Sequence, residues 1–594
     1  MNYYEYPLDT KLLLRKKRVL KKELLSNSVN WIEKKVAVLG GSTTNELVDQ
    51  LELALLSNGI KADFYQSEYG QYWEDAMFGT DELDAFSADI VYIHTSWRNI
   101  QEFPNIDSSI DDVNAMLDAE YNRWIMMWDN LLKKYKCTII QNNFERPNYR
   151  LMGNRDIWDY RGACNYISRL NQKFYDYAQK HNNFYINDID YLAQDYGISN
   201  WNNTLYWNMY KYAMNLDAIP YLAKSVSDII KSIYGKNKKI ISLDLDNTLW
   251  GGVVGDDGVE GIKIGPEVPM GQMFSEFQSY CKKLKDIGVV LSVVSKNDEE
   301  NAIAGLNHPS GILKPEDFVS IKANWEPKNQ NIQNMAQELT LGVDSFVFVD
   351  DNPAEREIVE KQIPGVAVPV MDKPENYISV LDHSGYFEVT ALSKEDTEKT
   401  KLYQAKAEAI RQVATFADYS EYLKSLDMTA ILTDFQPMYI QRIAQLTNKS
   451  NQFNLTTQRC SEDDIRYMQE SDDYVCLCGR LKDKFGDNGI VTVVAGKIED
   501  EILSINLWLM SCRVLKRGME DAMMNELVKI AKKRGVRMIR GYYYPTAKNA
   551  MVKDFFVKEG FTRIEEKEEQ TVDELSVEFY EERTIYMKVE DNIL

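Results

Sequence analysis

The sequence contains no window of eighteen apolar residues, which excludes a membrane-spanning helix. Its first residues carry a basic run (Arg15, Lys16, Lys17, Arg18, Lys21, Lys22) without an apolar core or a small-residue cleavage site, so no secretory signal is expected there. Cations are in deficit: 69 Lys+Arg against 91 Asp+Glu leave a net charge of −22 over 594 residues. Such a field repels phosphate backbones and anionic lipid, so neither nucleic acid nor a membrane is an expected partner. Cysteine is sparse and unpaired in pattern: Cys137, Cys164, Cys281, Cys460, Cys476, Cys478 and Cys512 are odd in number and scattered, which reads as reduced thiols in a cytoplasmic protein. The spacing Cys476-Leu-Cys478 is too tight for a structural zinc site. Internal repeats and low-complexity tracts are also missing.

Apolar residues make up 44% of the chain, enough to fold it throughout, and its length calls for three or four domains. From about residue 30 short apolar runs alternate with helical patterns, the mark of an α/β protein. Runs at 36–39, 62–65, 90–93, 137–140 and 184–186 read as strands of one sheet, and runs at 240–245, 289–294, 318–321 and 346–349 as strands of a second. A charged link, Tyr234-Gly-Lys-Asn-Lys-Lys239, separates them. The expected domains are 1–235, 236–385 and 386–594, the last opening with a charged helical stretch over 392–414.

The strongest chemistry begins at Leu243-Asp244-Leu245-Asp246-Asn247-Thr248, two carboxylates at i and i+2 directly after an apolar strand. At the carboxyl end of a parallel strand both can face the crevice where such sheets bind ligands. Asp244 is the candidate nucleophile toward phosphorus and Asp246 the candidate acid and base. Carboxylates approaching an anionic phosphate need a cation between them, so Mg²⁺ is expected on Asp244, Asp246, Asp350 and Asp351. Ser295 ends the next strand with a hydroxyl for a phosphate oxygen, and Lys328 offers an ammonium to the same group. Nucleophile and acid, then hydroxyl, then lysine, then paired aspartates, each at a strand end and in this order, resembles the haloacid dehalogenase (HAD) superfamily of phosphotransferases, which implies a Rossmann-like core. Only 49 positions separate Asp246 from Ser295 and 33 separate Ser295 from Lys328, so no large cap fits and an open site with a small Gly-rich flap over 250–258 is expected.

In the last third, Cys512 starts a turn that opens a helix, with Arg513, Lys516, Arg517 and Gly518 close by. Backbone NH groups at a helix N-terminus flanked by cations form an anion cradle and lower a thiol pKa. The plainer reading of Cys512 is a small buried apolar side chain. Arg513-x-x-x-x-Gly518 resembles the acyl-CoA loop of the GNAT acyltransferases, with Tyr544 to Asn549 similar to a later strand of that α+β fold. Lys516 stands where that loop usually has glycine. The polar run Asn448, Asn451, Gln452, Asn454 either binds substrate hydroxyls or caps a helix.

Read together, Leu243 to Gly255, Phe348 to Pro353, Gln445 to Thr457, Asp483 to Val491 and Met510 to Leu515 are similar to the FkbH-like family, over about 237–590. The resemblance implies a class IIIC HAD phosphatase module fused to a GNAT-like module. It further implies a glyceryl transferase that takes the three-carbon unit of 1,3-bisphosphoglycerate, removes phosphate and loads glyceryl on the phosphopantetheine of an acyl carrier protein (or on CoA) for polyketide or related biosynthesis. It assigns Cys512 as the acyl acceptor. Two other readings stay open: a HAD phosphatase for a phosphorylated sugar or protein with an independent CoA-dependent acetyltransferase domain, and a non-catalytic assembly module. Near the start, Gly40-Gly41-Ser42 after the first strand looks like the nucleophile block of the SGNH hydrolases in a flavodoxin-like sheet, with Asn99 as helper. Asp188-Ile-Asp-Tyr191 has tyrosine where that family has its histidine, and neither His94 nor His181 is well placed, so a non-hydrolytic docking or binding domain is expected.

Overall fold

The computed structural model describes residues 2–27, 31–392, 402–404, 419–484, 486–546 and 548–593. Most of the helical stretch expected over 392–414, and the side chain of Arg513, lie outside the described residues. The chain divides into two compact units, Met1–Ile233 and Tyr234–Leu594.

In the first unit β1 (Ile32–Gly40), β2 (Ile60–Gln66), β3 (Ile90–His94), β4 (Thr138–Asn142) and β5 (Phe184–Asn187) fall on the five apolar runs read from the sequence. They form a wholly parallel sheet in the order β2-β1-β3-β4-β5. Every residue of β3 is buried, as a parallel strand covered by helices on both faces requires. The order reverses between β1 and β3, so the crevice of this sheet opens after Gly40 and His94. The basic helix Thr10–Asn27 buries Leu13, Leu20 and Leu24 on one side. Along the same face Lys17 reaches Glu46 and Asp49, and Lys21 beside it reaches Glu52, so these two members of the basic run are already paired with the helix Asn45–Ser57.

The second unit holds two sheets. β6 (Ile240–Leu243), β7 (Val290–Ser295), β8 (Phe318–Ala323) and β9 (Phe346–Val349) are parallel in the order β8-β7-β6-β9. Their registers align the carboxyl ends: Leu243 pairs with both Val293 and Val349. The other sheet is mostly antiparallel and comprises β10 (Thr429–Thr433), β11 (Phe453–Asn454), β12 (Tyr474–Asp483), β13 (Gly486–Glu499), β14 (Ile502–Met510), β15 (Met538–Tyr543), β16 (Thr562–Glu566), β17 (Thr571–Ser576) and β18 (Lys588–Asp591). The helix Met519–Lys533 buries Met519, Met523 and Leu527 against it, beside Trp508, Phe555 and Phe556. The short strand β11 pairs Phe453 with Met510, which brings the residues before 453 beside those after 510.

Candidate active site

Asp244 and Asp350 follow the last residues of two neighbouring strands, β6 and β9, whose register sets them side by side at the carboxyl edge of the sheet. Ligand atoms of Asp244, Asp350 and Asp351 lie within 4.8 Å of one another. Lys328 Nζ sits 2.6 Å from Asp350 Oδ2 and 3.1 Å from Asp244 Oδ2, and is only 4% exposed. Burial disfavours the charge on Lys328, but Asp244 and Asp350 outweigh it and hold its pKa above the usual lysine value. Burial raises the Asp350 and Asp351 carboxyls, and the charge of Asp244 raises them further. Two buried carboxylates and the half-buried Asp351 against the Lys328 ammonium leave a net negative pocket. Asp244 Oδ1 is shielded from solvent and has no hydrogen-bond partner among the described residues. A hard divalent cation on oxygen ligands would satisfy both the charge and the orphaned oxygen.

The carboxylate of Asp246, expected among the metal ligands, lies outside this group. Its Oδ1 accepts hydrogen bonds from Trp250 Nε1 at 2.8 Å and the Val254 amide at 3.0 Å, and its Oδ2 accepts one from Asn297 Nδ2 at 3.0 Å. Burial raises the pKa of Asp246 against those hydrogen bonds, which suits a proton donor better than a ligand. Trp250 and Val254 belong to the flap, whose only helix is Val254–Asp257 and whose base is a bridge between Gly251 and Lys263. It is therefore as small as the spacing predicts. The Asp246 turn needs Asn247 at φ +56°, a conformation asparagine tolerates, and Tyr377 donates to the Asn247 carbonyl at 3.2 Å. Ser295 is buried at the end of β7, on the same edge of the sheet. Arg356, which sequence reasoning missed, donates to the carbonyls of Asp350 and Asp351 at 2.8 and 2.7 Å and so fixes the turn carrying both carboxylates. Its one local signal is a position three residues into a helix that opens at Pro353.

Cys512 is half-buried at the start of a 3-10 turn after β14. It packs against the apolar core that includes Ile240, Val290 and Phe346, and it lines a cavity of about 320 Å³ together with Asn451 and Gln452. The remaining members expected at this site separate from it. Arg517 is buried and paired with Asp483, so it is not a loop cation for an anion. Lys516 is exposed with φ +64°, the conformation for which glycine is the usual residue, and Gly518 with φ +82° opens the helix Met519–Lys533. Asn549, expected to bind pantetheine, is fully buried: its Nδ2 donates to the Asn454 and Tyr544 carbonyls, and its Oδ1 accepts from the Thr546 amide and hydroxyl. With both ends of the amide occupied, it braces the loop. Asn454 likewise accepts from Thr457 and donates to Ser450, and Asn448 Nδ2 donates to the Ala444 and Cys460 carbonyls. Asn451 accepts from Arg459, whose guanidinium also donates to the Thr447 and Asn448 carbonyls and so shapes the 447–452 turn.

In the first unit Ser42 is buried with an Oγ that has no hydrogen-bond partner among the described residues. Asn99 Nδ2 donates to the Gly41 carbonyl at 3.0 Å, and a Cβ on Gly41 would fall 2.3 Å from that nitrogen, so Asn99 and Gly41 lock two loops together. His94 is fully enclosed, and burial pushes its pKa down to about 4. Its Nδ1 meets Asn142 Nδ2 at 3.0 Å, which holds it as a neutral core residue. His181 stacks on Tyr177, and Asp188 caps its helix by accepting from the Tyr191 amide while the Tyr191 side chain is exposed. Within the first unit neither His94 nor His181 is therefore held as a base to Ser42.

A family model described as FkbH, N-terminal domain, matches residues 35–231. The crystal structure of the N-terminal part of BF1531 from Bacteroides fragilis, described as containing a phosphatase domain complexed with Mg, is 30% identical with a TM-score of 0.59. The match covers 63% of this chain and 99% of that one. The ribosomal-protein-S18-alanine N-acetyltransferase of Escherichia coli is 12% identical over 26% of this chain and 98% of its own, with a TM-score of 0.21. The PaiA N-acetyltransferase of Thermoplasma acidophilum, in complex with coenzyme A, is 16% identical over 25% of this chain and 98% of its own, with a TM-score of 0.19. No curated protein matches the chain.

Proposed function

Since this chain belongs to the FkbH-like family, we propose that it is a Mg²⁺-dependent phosphatase and acyltransferase. In this reading the parts 1–235, 236–385 and 386–594 act as a binding domain, a HAD phosphatase and a GNAT-like acyltransferase. The observation that carries the phosphatase half is the cluster Asp244, Asp350, Asp351 and Lys328, with the raised carboxyl of Asp246 beside it.

Asp244, Asp350 and Asp351 would hold Mg²⁺, which supplies charge neutralisation for an incoming phosphate. Asp244 attacks phosphorus through a carboxylate oxygen. Lys328 and Ser295 hold the other phosphate oxygens, and Asp246 gives its proton to the leaving oxygen and later removes one from water. The flap is too small to seal the site, which suits a substrate carried on a larger partner.

The acyltransferase half assigns Cys512 as nucleophile toward the acyl phosphate of 1,3-bisphosphoglycerate. Its sulfur forms a bond to the carbonyl carbon, the carbon–oxygen bond to phosphate breaks with its electron pair on phosphate, and the thiol proton passes to solvent. The phosphopantetheine thiol of an acyl carrier protein then takes the acyl group by thioester exchange. Intact-mass spectrometry tests this half. The chain with 1,3-bisphosphoglycerate and Mg²⁺ should gain an acyl adduct that passes to holo carrier protein and that Cys512→Ala abolishes. Phosphate release without any adduct would leave a phosphatase alone.

A further inference from the structure

The cavity at Cys512 lies on the far edge of the four-stranded sheet from Asp244. Its walls include Lys239, which precedes β6, Val290, which opens β7, and Ser345, which precedes β9, all at the amino ends of strands whose carboxyl ends carry Asp244, Ser295 and Asp350. Asp244 lies five positions after Lys239 along the chain, roughly 16 Å of extended strand. In a chain of net charge −22 the described lining of this cavity includes Lys239, Arg442, Lys449 and Lys548 together with the carboxylate of Asp344, which Lys548 pairs. Two more cations stand close by. Burial, together with the charges of Lys548 and Arg459, pushes the pKa of Lys236 down to about 8, so the positive field reaches the linker as well. Gln452 Oε1, on the cavity wall, is shielded from solvent with no hydrogen-bond partner among the described residues. It is an acceptor in want of a hydroxyl.

We infer that this cavity is an anion site for a phosphate ester, with Lys239, Arg442, Lys449 and Lys548 around the phosphate, Gln452 accepting from a ligand hydroxyl, and Cys512 at the reactive end. The inference rests on the reading above only for what reacts at Cys512. A small ligand held here cannot reach Asp244 at the same time, so thiol chemistry and phosphate hydrolysis are separate visits to two sites. The phosphate is a monoester on a phosphorylated three-carbon acid and a diester in the pantetheine arm of a carrier, for which pantetheine 4′-phosphate is the soluble probe.

The experiment measures alkylation of Cys512 by iodoacetamide in the full chain, read on its peptide by mass spectrometry, with Cys476 as internal control. 3-Phosphoglycerate or pantetheine 4′-phosphate, at ten times its dissociation constant, should slow Cys512 roughly tenfold and leave Cys476 unchanged. Whichever of the two protects identifies the source of the phosphate. Arg442→Ala and Lys449→Ala should each weaken protection, whereas in Asp244→Asn protection should persist. If the thiol proves unreactive, equilibrium dialysis of labelled 3-phosphoglycerate and labelled pantetheine 4′-phosphate against Asp244→Asn, with and without Arg442→Ala, reads the same site. Protection or binding by neither phosphate, or its loss in Asp244→Asn, would overturn the inference. Protection without an acyl adduct would remove the transferase reading and leave the anion site standing; an adduct without protection would do the reverse.

Discussion

Lys328 is the residue on which the charge balance at the carboxyl edge of β6 and β9 depends. Without it the buried Asp244 and Asp350 and the half-buried Asp351 face one another without that ammonium. Lys328→Met should therefore cost about 3 kcal/mol of unfolding free energy in metal-free buffer. It should also lower phosphate release, and denaturant titrations with and without Mg²⁺ measure how much the cation restores. In the first unit burial pushes the Glu145 carboxyl up to about 8, and the side chain is 1% exposed. Its folded value lies above its unfolded one, so its stabilising contribution is complete below the ordinary glutamate range and lost as pH rises through 8. Glu145→Gln should match the wild type near pH 4 and exceed it by up to about 4 kcal/mol above pH 8. An equal difference at both pH values would contradict the buried neutral acid. Asp244, Ser295, Asp350 and Asp351 were legible because each ends or follows an apolar run in a fixed order, whereas Lys328, expected at a strand end, opens the helix Lys328–Leu339 five positions after β8. The use of Asp246 was not, since the Trp250 and Asn297 contacts that occupy its oxygens exist only once the flap has folded back.

Strands were the most legible elements, since β3, β6, β7 and β9 are short apolar runs whose burial on both faces writes them directly into the sequence. The loop from Ser511 to Gly518 was harder. Its cations look alike in sequence, yet folding buries Arg517 against Asp483 on β12 while Lys516 is exposed. Arg517→Ala should thus destabilise the second unit by about 3 kcal/mol through the stranded Asp483, with phosphate release from a small monoester unchanged. A loss of phosphatase activity at full stability would contradict a bracing role. The polar run at 448–454 shows the same limit: half of it braces loops and half faces the cavity, a division made by the pairing of β11 with β14.

The net charge of −22 gives no hint of where an anion would bind, because the cations at the Asp244 centre and at the Cys512 cavity come together only through folding. The three-carboxylate cluster makes the whole molecule responsive to metal. Mg²⁺ at a hundred times its dissociation constant should raise the stability of the second unit by about 2.7 kcal/mol, and Asp350→Asn should remove most of that gain. The claim that organises the rest is that Asp244 accepts the phosphoryl group. Its most direct measurement is phosphate release from a monoester in saturating Mg²⁺ by the wild-type chain and by folded Asp244→Asn. The structure predicts turnover in the first and a loss of at least about a thousandfold in the second. Comparable rates in both would contradict it.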